Sequence, residues 1–233
     1  MQSQRVMDFS DIASRILYED NHLLVFNKKP GEIVQGDRTG DTPLSEDLKA
    51  FIKQRDNKPG NVFLGVPHRL DRPVSGIVIF AKTSKALERL AAMFREGSVH
   101  KTYLALCCGE PWDEEGLLED WLSRNEKQNK SYVVREGTPG AKLARLRYRF
   151  VQRTERYSLL EVELLTGRHH QIRCQLSHMG CPIKGDLKYG APRSNPDGGI
   201  CLHSRRAVFV HPVQKVELTV EAPIPDSWKG VRQ

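Results

Sequence analysis

One carboxylate stands among cations where the chain turns into an apolar strand. His68-Arg69-Leu70-Asp71-Arg72-Pro73-Val74-Ser75-Gly76 runs straight into Ile77-Val78-Ile79-Phe80-Ala81. Asp71 has Arg69 two residues before it and Arg72 one after, and nearby positive charge favours an ionised carboxylate. Pro73 and Gly76 break regular structure around the acid. The apolar run that follows reads as a strand buried on both faces. A polar loop anchored on a buried strand can hold a reactive side chain still. The same residues also fit a surface salt bridge beside a turn, because structural ion pairs perturb carboxylates too.

Other chemistry-bearing side chains are more ambiguous. Tyr103 lies in Lys101-Thr102-Tyr103-Leu104-Ala105-Leu106, which reads as a strand. A tyrosine in a strand is usually a packing residue. His169 and His170 are adjacent, so their side chains diverge on a helix or strand, and no H-E-x-x-H pattern occurs. Cys107, Cys108, Cys174, Cys181 and Cys201 contain no C-x-x-C pair. Their odd number argues against a disulfide framework. Ligand spacing gives no reason to expect a metal.

The elements that must position these groups follow from periodicity. Residues 18–26 read as a strand with turn residues 27–31 behind it. Thr42 is a candidate cap, with Pro43 at the first helical position. Leu44, Leu48, Phe51 and Ile52 then form an apolar helical face. Residues 62–66 read as a short strand. Residues 84–95 read as an amphipathic helix, capped by Thr83 or Ser84, with Leu87, Leu90, Ala91 and Phe94 inward. Residues 113–139 are rich in polar and turn residues and read as a long excursion at the sheet edge. Leu146, Tyr148 and Phe150 alternate with Arg145, Arg147 and Arg149. The arginines are either a row facing a polyanionic partner or a solvated sheet face, and the solvated face is favoured. Residues 156–165 pair back as a hairpin. Residues 168–179 read as a helix with Ile172, Leu176 and Met179 inward, stopped by Gly180-Cys181-Pro182. Residues 200–210 and 215–222 close the sheet. Strands outnumber helices and most connections read as hairpins. The fold class expected is therefore α+β, with a mixed, largely antiparallel sheet and flanking helices.

The chain has 233 residues, 39% of them hydrophobic, enough for a sizeable core. No apolar run reaches membrane-spanning length. Residues 1–17 contain Asp8 and Asp11 and no apolar centre, so they resemble neither a secretory signal nor a transit peptide. The reading is a cytoplasmic protein with no membrane partner. Net charge is +7, which suits a polyanionic partner without proving one. Between Lys142 and Arg173, eight Lys or Arg stand against three Glu.

The segment from His68 to Lys82 resembles the signature His-Arg-Leu-Asp-x-x-Thr-Ser-Gly-φ-φ-φ-Phe-Ala-Lys of the RluA-type pseudouridine synthases, where φ is apolar. It departs at Val74, where the family has Thr. Lys101 to Leu106 is similar to that family's Lys-x-Tyr-x-Ala-Leu motif. Leu165 to Arg173 is similar to its φ-x-Thr-Gly-Arg-x-His-Gln-φ-Arg motif, with His169 in place of Thr. The stretch from Gly180 through Gly185-Asp186 and Tyr189-Gly190 continues the likeness, as do Leu202-His203-Ser204 and Phe209-x-His211-Pro212. Glu19 to Val25 matches well. Asn27-Lys28-Lys29-Pro30-Gly31 departs by placing Lys29 where the family has proline. The resemblance spans residues 16–222, so one pseudouridine synthase catalytic domain over 1–233 is expected, without a preceding S4-type domain. Four motifs in order are far more specific than one short pattern.

The resemblance implies an isomerase that converts a uridine of structured RNA, tRNA or 23S-type rRNA, to pseudouridine. It breaks the bond from ribose to uracil nitrogen, rotates the base and rejoins it through carbon 5. No cofactor or metal is implied. Asp71 would be the nucleophile, whether it attacks ribose or ring or assists a glycal. Arg168, at a helix start where a cation gains nothing from the dipole, would pair with Asp71. Tyr103 would pack on the base and take a proton, which its ordinary pKa of about 10 permits only beside a perturbing neighbour. Extrusion of the base would use Arg69 as a wedge, and Ile172 would line the base pocket. Lys82 and Arg173 would hold RNA. A monomer is expected. Two rivals stand behind this reading. A non-catalytic RNA binder on the same scaffold would be expected to lack Asp71 or Arg168. A glycosidic hydrolase wants a second facing carboxylate, which no motif supplies.

Overall fold

The computed structural model describes residues 8–36 and 40–231; residues 1–7, part of the stretch read above for a leader, lie outside them. In chain order the elements are α1 (Phe9–Ser14), β1 (Ile16–Glu19), β2 (Leu23–Lys28), α2 (Leu44–Arg55), β3 (Ser75–Ala81) and α3 (Ser84–Glu96). They continue with β4 (His100–Cys107), β5 (Glu115–Asn125), β6 (Lys130–Val134), β7 (Lys142–Arg153) and β8 (Ser158–Leu164). The chain closes with α4 (Gln171–His178), β9 (Leu202–Val210) and β10 (Glu217–Glu221).

The strands form one sheet in the order β1-β2-β3-β9-β4-β8-β7-β5-β6, with β10 also on β9. Every named pairing is antiparallel except the short parallel contact of Ser75 with His203 and Gly76 with Ser204. The α+β architecture with a mixed, largely antiparallel sheet is thus the one the sequence implied. Alternation in β2 and β3 splits the core. Leu24, Phe26, Val78 and Phe80 face Leu48, Phe51 and Ile52 of α2. Leu23, Val25, Ile77 and Ile79 face Ala86 and Leu90 of α3. The strand after Asp71 is buried along its whole length. No helix among the described residues is long and apolar enough to cross a membrane.

Several expected boundaries move for local reasons. Residues 18–26 are not one strand, because the Asp20 carboxylate accepts the N–H groups of His22 and Leu23, both at 2.7 Å, and turns the chain between β1 and β2. Asp8 caps α1 in the same way, a helix too short for periodicity to reveal. Pro43, not Thr42, stands at the cap of α2, and it makes no side-chain capping hydrogen bond. Thr83 caps α3 as expected. Within residues 62–66 only Gly65 bridges, to Ala81. Residues 113–139 do lie at the sheet edge, but as the regular hairpin β5–β6. Arg145, Arg147 and Arg149 pair with Glu119, Glu163 and Glu161 on the open sheet face, the solvated reading.

Candidate active site

Asp71 sits in the turn that feeds β3, and the turn is tied down from three directions. The Val74 N–H returns to the Asp71 carbonyl at 3.0 Å, and Ile200 N–H reaches the Pro73 carbonyl at 3.0 Å. From the end of β2, the fully buried Lys28 donates to the carbonyls of Lys29, Arg72 and Val74 at 3.0, 3.0 and 2.6 Å. Burial pulls the Lys28 ammonium down to about 8, with the carboxylates of Glu32 and Asp71 working the other way. On the α3 side, His68 accepts the Ile79 N–H at 2.9 Å and stacks on Phe94 at 4.2 Å. Burial holds His68 well below the usual histidine range, so it is a neutral strut.

The opposite wall is α4. His170 precedes its first residue in a left-handed conformation, φ +51°, so the helix begins at Gln171 and not at Arg168. Gln171 closes the preceding turn. Its side-chain oxygen accepts from Thr166 Oγ1 and Arg168 N, and its amide donates to the Arg145 carbonyl. The buried face of α4 then points Arg173 at the Asp71 turn. Arg173 Nε and Nη2 fork onto Asp186 at 2.6 and 2.9 Å, and Nη1 reaches Asp71 Oδ2 at 3.1 Å. His170 Nε2 lies 3.3 Å from the same oxygen. Burial pushes the His170 imidazole down to about 3, so it is uncharged. The Asp71 side chain nonetheless retains 34% exposure, enough to be reached from solvent.

Arg69, Asp71, Tyr103, Arg168, Ile172 and Arg173 all line one cavity of about 400 Å³, within the size range of small-ligand sites. Tyr103 comes from β4 and Ile172 from α4, and both are about 5% exposed or less. The Tyr103 hydroxyl has no hydrogen-bond partner among the described residues. Arg69 is exposed and likewise unpaired among them. An adjoining open cleft of about 1030 Å³ shares Asp71 and Arg69 and is rimmed by Arg124, Lys127 and Lys188.

Two expectations need correction. Arg168 does not pair with Asp71: it is exposed at the rim, with its Nε donating to the Leu143 carbonyl at 2.9 Å, and the cation on Asp71 is Arg173. Lys82 is not at this cavity. It follows the far end of β3, some six strand steps or roughly 20 Å from the Asp71 turn, and its ammonium is bound to Glu19 and the Asp20 carbonyl at 2.7 and 2.6 Å. Sequence reasoning gave no role to Lys28, His170, Asp186 or Tyr189. The last three all fall inside motifs already singled out, which was the available signal; Lys28 lies in a segment noted only for its departure from the family.

Residues 22–178 match the sequence profile of a family described as RNA pseudouridylate synthase. The chain is 34% identical over 229 residues to the ribosomal large subunit pseudouridine synthase C of Vibrio cholerae, covering 95% of this chain and 69% of that one. It is 32% identical over 238 residues to the protein of the same name from Escherichia coli K12, covering 99% and 72%. The solved structure of human RNA pseudouridylate synthase domain containing 4 has the same fold, with a TM-score of 0.78 at 24% identity over 94% of this chain and 92% of that one.

Proposed function

The chain belongs to the RNA pseudouridylate synthase family and is an RNA pseudouridine synthase, and from that premise we propose that Asp71 is its nucleophile and large-subunit ribosomal RNA its substrate. The observation that carries the first part is the Asp71 carboxylate, bound by Arg173 at a cavity it shares with Tyr103 and Ile172. The reaction is an isomerisation. The bond from ribose C1′ to uracil N1 breaks, a bond from C1′ to C5 forms, and the hydrogen on C5 leaves as a proton while N1 regains one. A fixed anion can give the sugar or the ring a covalent partner between these steps. The Arg173 cation stabilises that anion before it reacts. The ribosomal part rests on the relatives, whose names specify the large ribosomal subunit.

The remaining roles follow from position. The Tyr103 ring and Ile172, which line the cavity beside Asp71, pack on the uracil. A uridine must leave its stack to enter a cavity of this depth, and Arg69, exposed and without a partner among the described residues, fills the gap it leaves. Arg168, Arg124, Lys127 and Lys188 contact the RNA backbone around the opening.

The test is pseudouridine formation on large-subunit ribosomal RNA and tRNA transcripts carrying [5-³H]uridine, with tritium release as the readout. Wild type is expected to release tritium from the ribosomal transcript. Asp71→Asn should lose about a thousandfold or more in rate, while binding the same RNA within about threefold. Release from tRNA alone would replace the substrate assigned. A rate within tenfold of wild type in Asp71→Asn would remove Asp71 as the nucleophile.

A further inference from the structure

Two groups meet the Asp71 carboxylate, and both meet the same oxygen. Arg173 Nη1 and His170 Nε2 lie 3.1 and 3.3 Å from Oδ2. No hydrogen bond among the described residues falls on Oδ1. A carboxylate only accepts hydrogen bonds, and a bare imidazole nitrogen at that distance would repel it. His170 Nε2 therefore carries a hydrogen.

The rest of the ring follows. His170 is uncharged, so with Nε2 protonated its Nδ1 is bare and needs a donor. The Tyr189 hydroxyl lies 3.0 Å from Nδ1. That hydroxyl in turn accepts the Ser131 backbone N–H at 2.8 Å, which leaves its own hydrogen free to point at His170. The donors thus run one way, from the Ser131 N–H on β6 through the Tyr189 hydroxyl to the imidazole, whose Nε2 faces Asp71 Oδ2 at 3.3 Å without the geometry of a hydrogen bond. The ring cannot turn away easily. It is stacked on His169 at 3.8 Å and edged by the Tyr189 ring at 5.6 Å. Its backbone is held at φ +51°, a conformation that side chains other than glycine rarely adopt.

We propose that Tyr189 and His170 are positioning residues for the isomerisation: the Tyr189 hydroxyl fixes the Nε2–H tautomer of His170, and that N–H steers Asp71 Oδ2 so that Oδ1 is presented to the uridine. The 3.3 Å contact from His170, which lacks hydrogen-bond geometry, biases the carboxylate through the dipole of its N–H, while the Arg173 hydrogen bond clamps it. This inference rests on Asp71 being the nucleophile, and the experiment separates the two.

The full chain is compared with Tyr189→Phe, His170→Phe, His170→Gln and Asp71→Asn on whichever transcript above the wild type modifies, with kcat and KM measured separately. Thermal melts confirm that each variant is folded. Gln places an amide N–H near the position of Nε2, and Phe keeps the ring without it; both retain a Cβ at the strained backbone. Tyr189→Phe should lose about tenfold in kcat and His170→Phe about thirtyfold, with KM within about twofold, the size expected of a misplaced reacting group. His170→Gln should recover to within about threefold of wild type. Wild-type kcat in both Phe variants, with Asp71→Asn inactive, would overturn the relay and leave the nucleophile in place. Equal losses in folded His170→Gln and His170→Phe would make the ring a packing element and overturn it too. An active Asp71→Asn would overturn both readings.

Discussion

At the scale of single residues, the site turns on one guanidinium shared by two acids. Arg173 gives two edges of its fork to Asp186 and the third to Asp71. A lysine carries the same charge as a point and cannot reproduce three directed contacts. Arg173→Lys is therefore expected to lose about a hundredfold in kcat and on the order of 2 kcal/mol of stability, because one buried carboxylate is left short of its partner. Single-turnover tritium release and urea unfolding would measure the two effects. Arg168→Lys should stay within about threefold in kcat, since that side chain is exposed and, among the described residues, bonded through Nε alone. The reverse ranking would restore Arg168 as the cation that matters. The sequence made Asp71 legible because charge, turn residues and an apolar run all converge on it. It gives Asp71 the wrong arginine because Arg168 reads as the helix start, where a cation calls for a carboxylate partner. His170, a non-glycine residue in the left-handed region, delays the first helical residue to Gln171, three positions after Arg168, and no composition rule flags that.

At the scale of elements, the functional geometry depends on where β3 meets β9. That short parallel contact joins the strand behind Asp71 to the half of the sheet that carries Tyr103. Gly76 makes it possible. Its φ is +106°, and a Cβ there would lie 2.3 Å from the Ser204 carbonyl oxygen and 2.6 Å from the Ser204 nitrogen, both backbone atoms that cannot swing aside. Gly76→Ala is expected to destabilise by about 3 kcal/mol or more, from the backbone strain and the forced separation together. The rate should fall in the folded fraction because the Asp71 turn moves with β3. An alanine variant with an unchanged urea midpoint would mean the two strands are free to part. Patterned elements were readable from sequence: the α2 face, the run 77–81 and the alternation in β7 all rest on periods of 3.6 or 2. The turn at Asp20, the six-residue α1 and the parallel contact were not. The first two depend on side-chain capping within a few residues, and the third on a pairing between positions 128 apart.

At the scale of the whole molecule, the acid limit of stability is set by histidines distributed through it. His68 is packed against α3, His170 against α4, and His203 lies in β9 beside Ser75. Burial is the leading cause in each case: His68 is held well below the usual range, His170 at about 3 and His203 at about 4. The folded protein therefore does not protonate them between pH 7.5 and 5.5, whereas the unfolded chain does so near its ordinary histidine pKa of about 6.5. More protons bound in the unfolded state means that stability rises with pH and falls on acidification. His170 and His203 then each contribute a loss of about 1.4 kcal/mol between pH 7.5 and 5.5, and His68 adds a loss of the same sign. The carboxylates whose ionisation is favoured by folding, Glu19 and Asp20 among them, are lowered from 4.5 and 3.8 and so act mainly below this window. Urea unfolding at pH 7.5, 6.5 and 5.5, at fixed ionic strength, should show the midpoint falling steadily. His203→Gln keeps a side-chain amide near Ser75 and cannot take up a proton, so its midpoint should fall less steeply over the same range. A midpoint that does not move between pH 7.5 and 5.5 would mean these histidines are protonated in the folded protein. The neutral ring beside Asp71, on which the relay from Tyr189 depends, would then be lost with them.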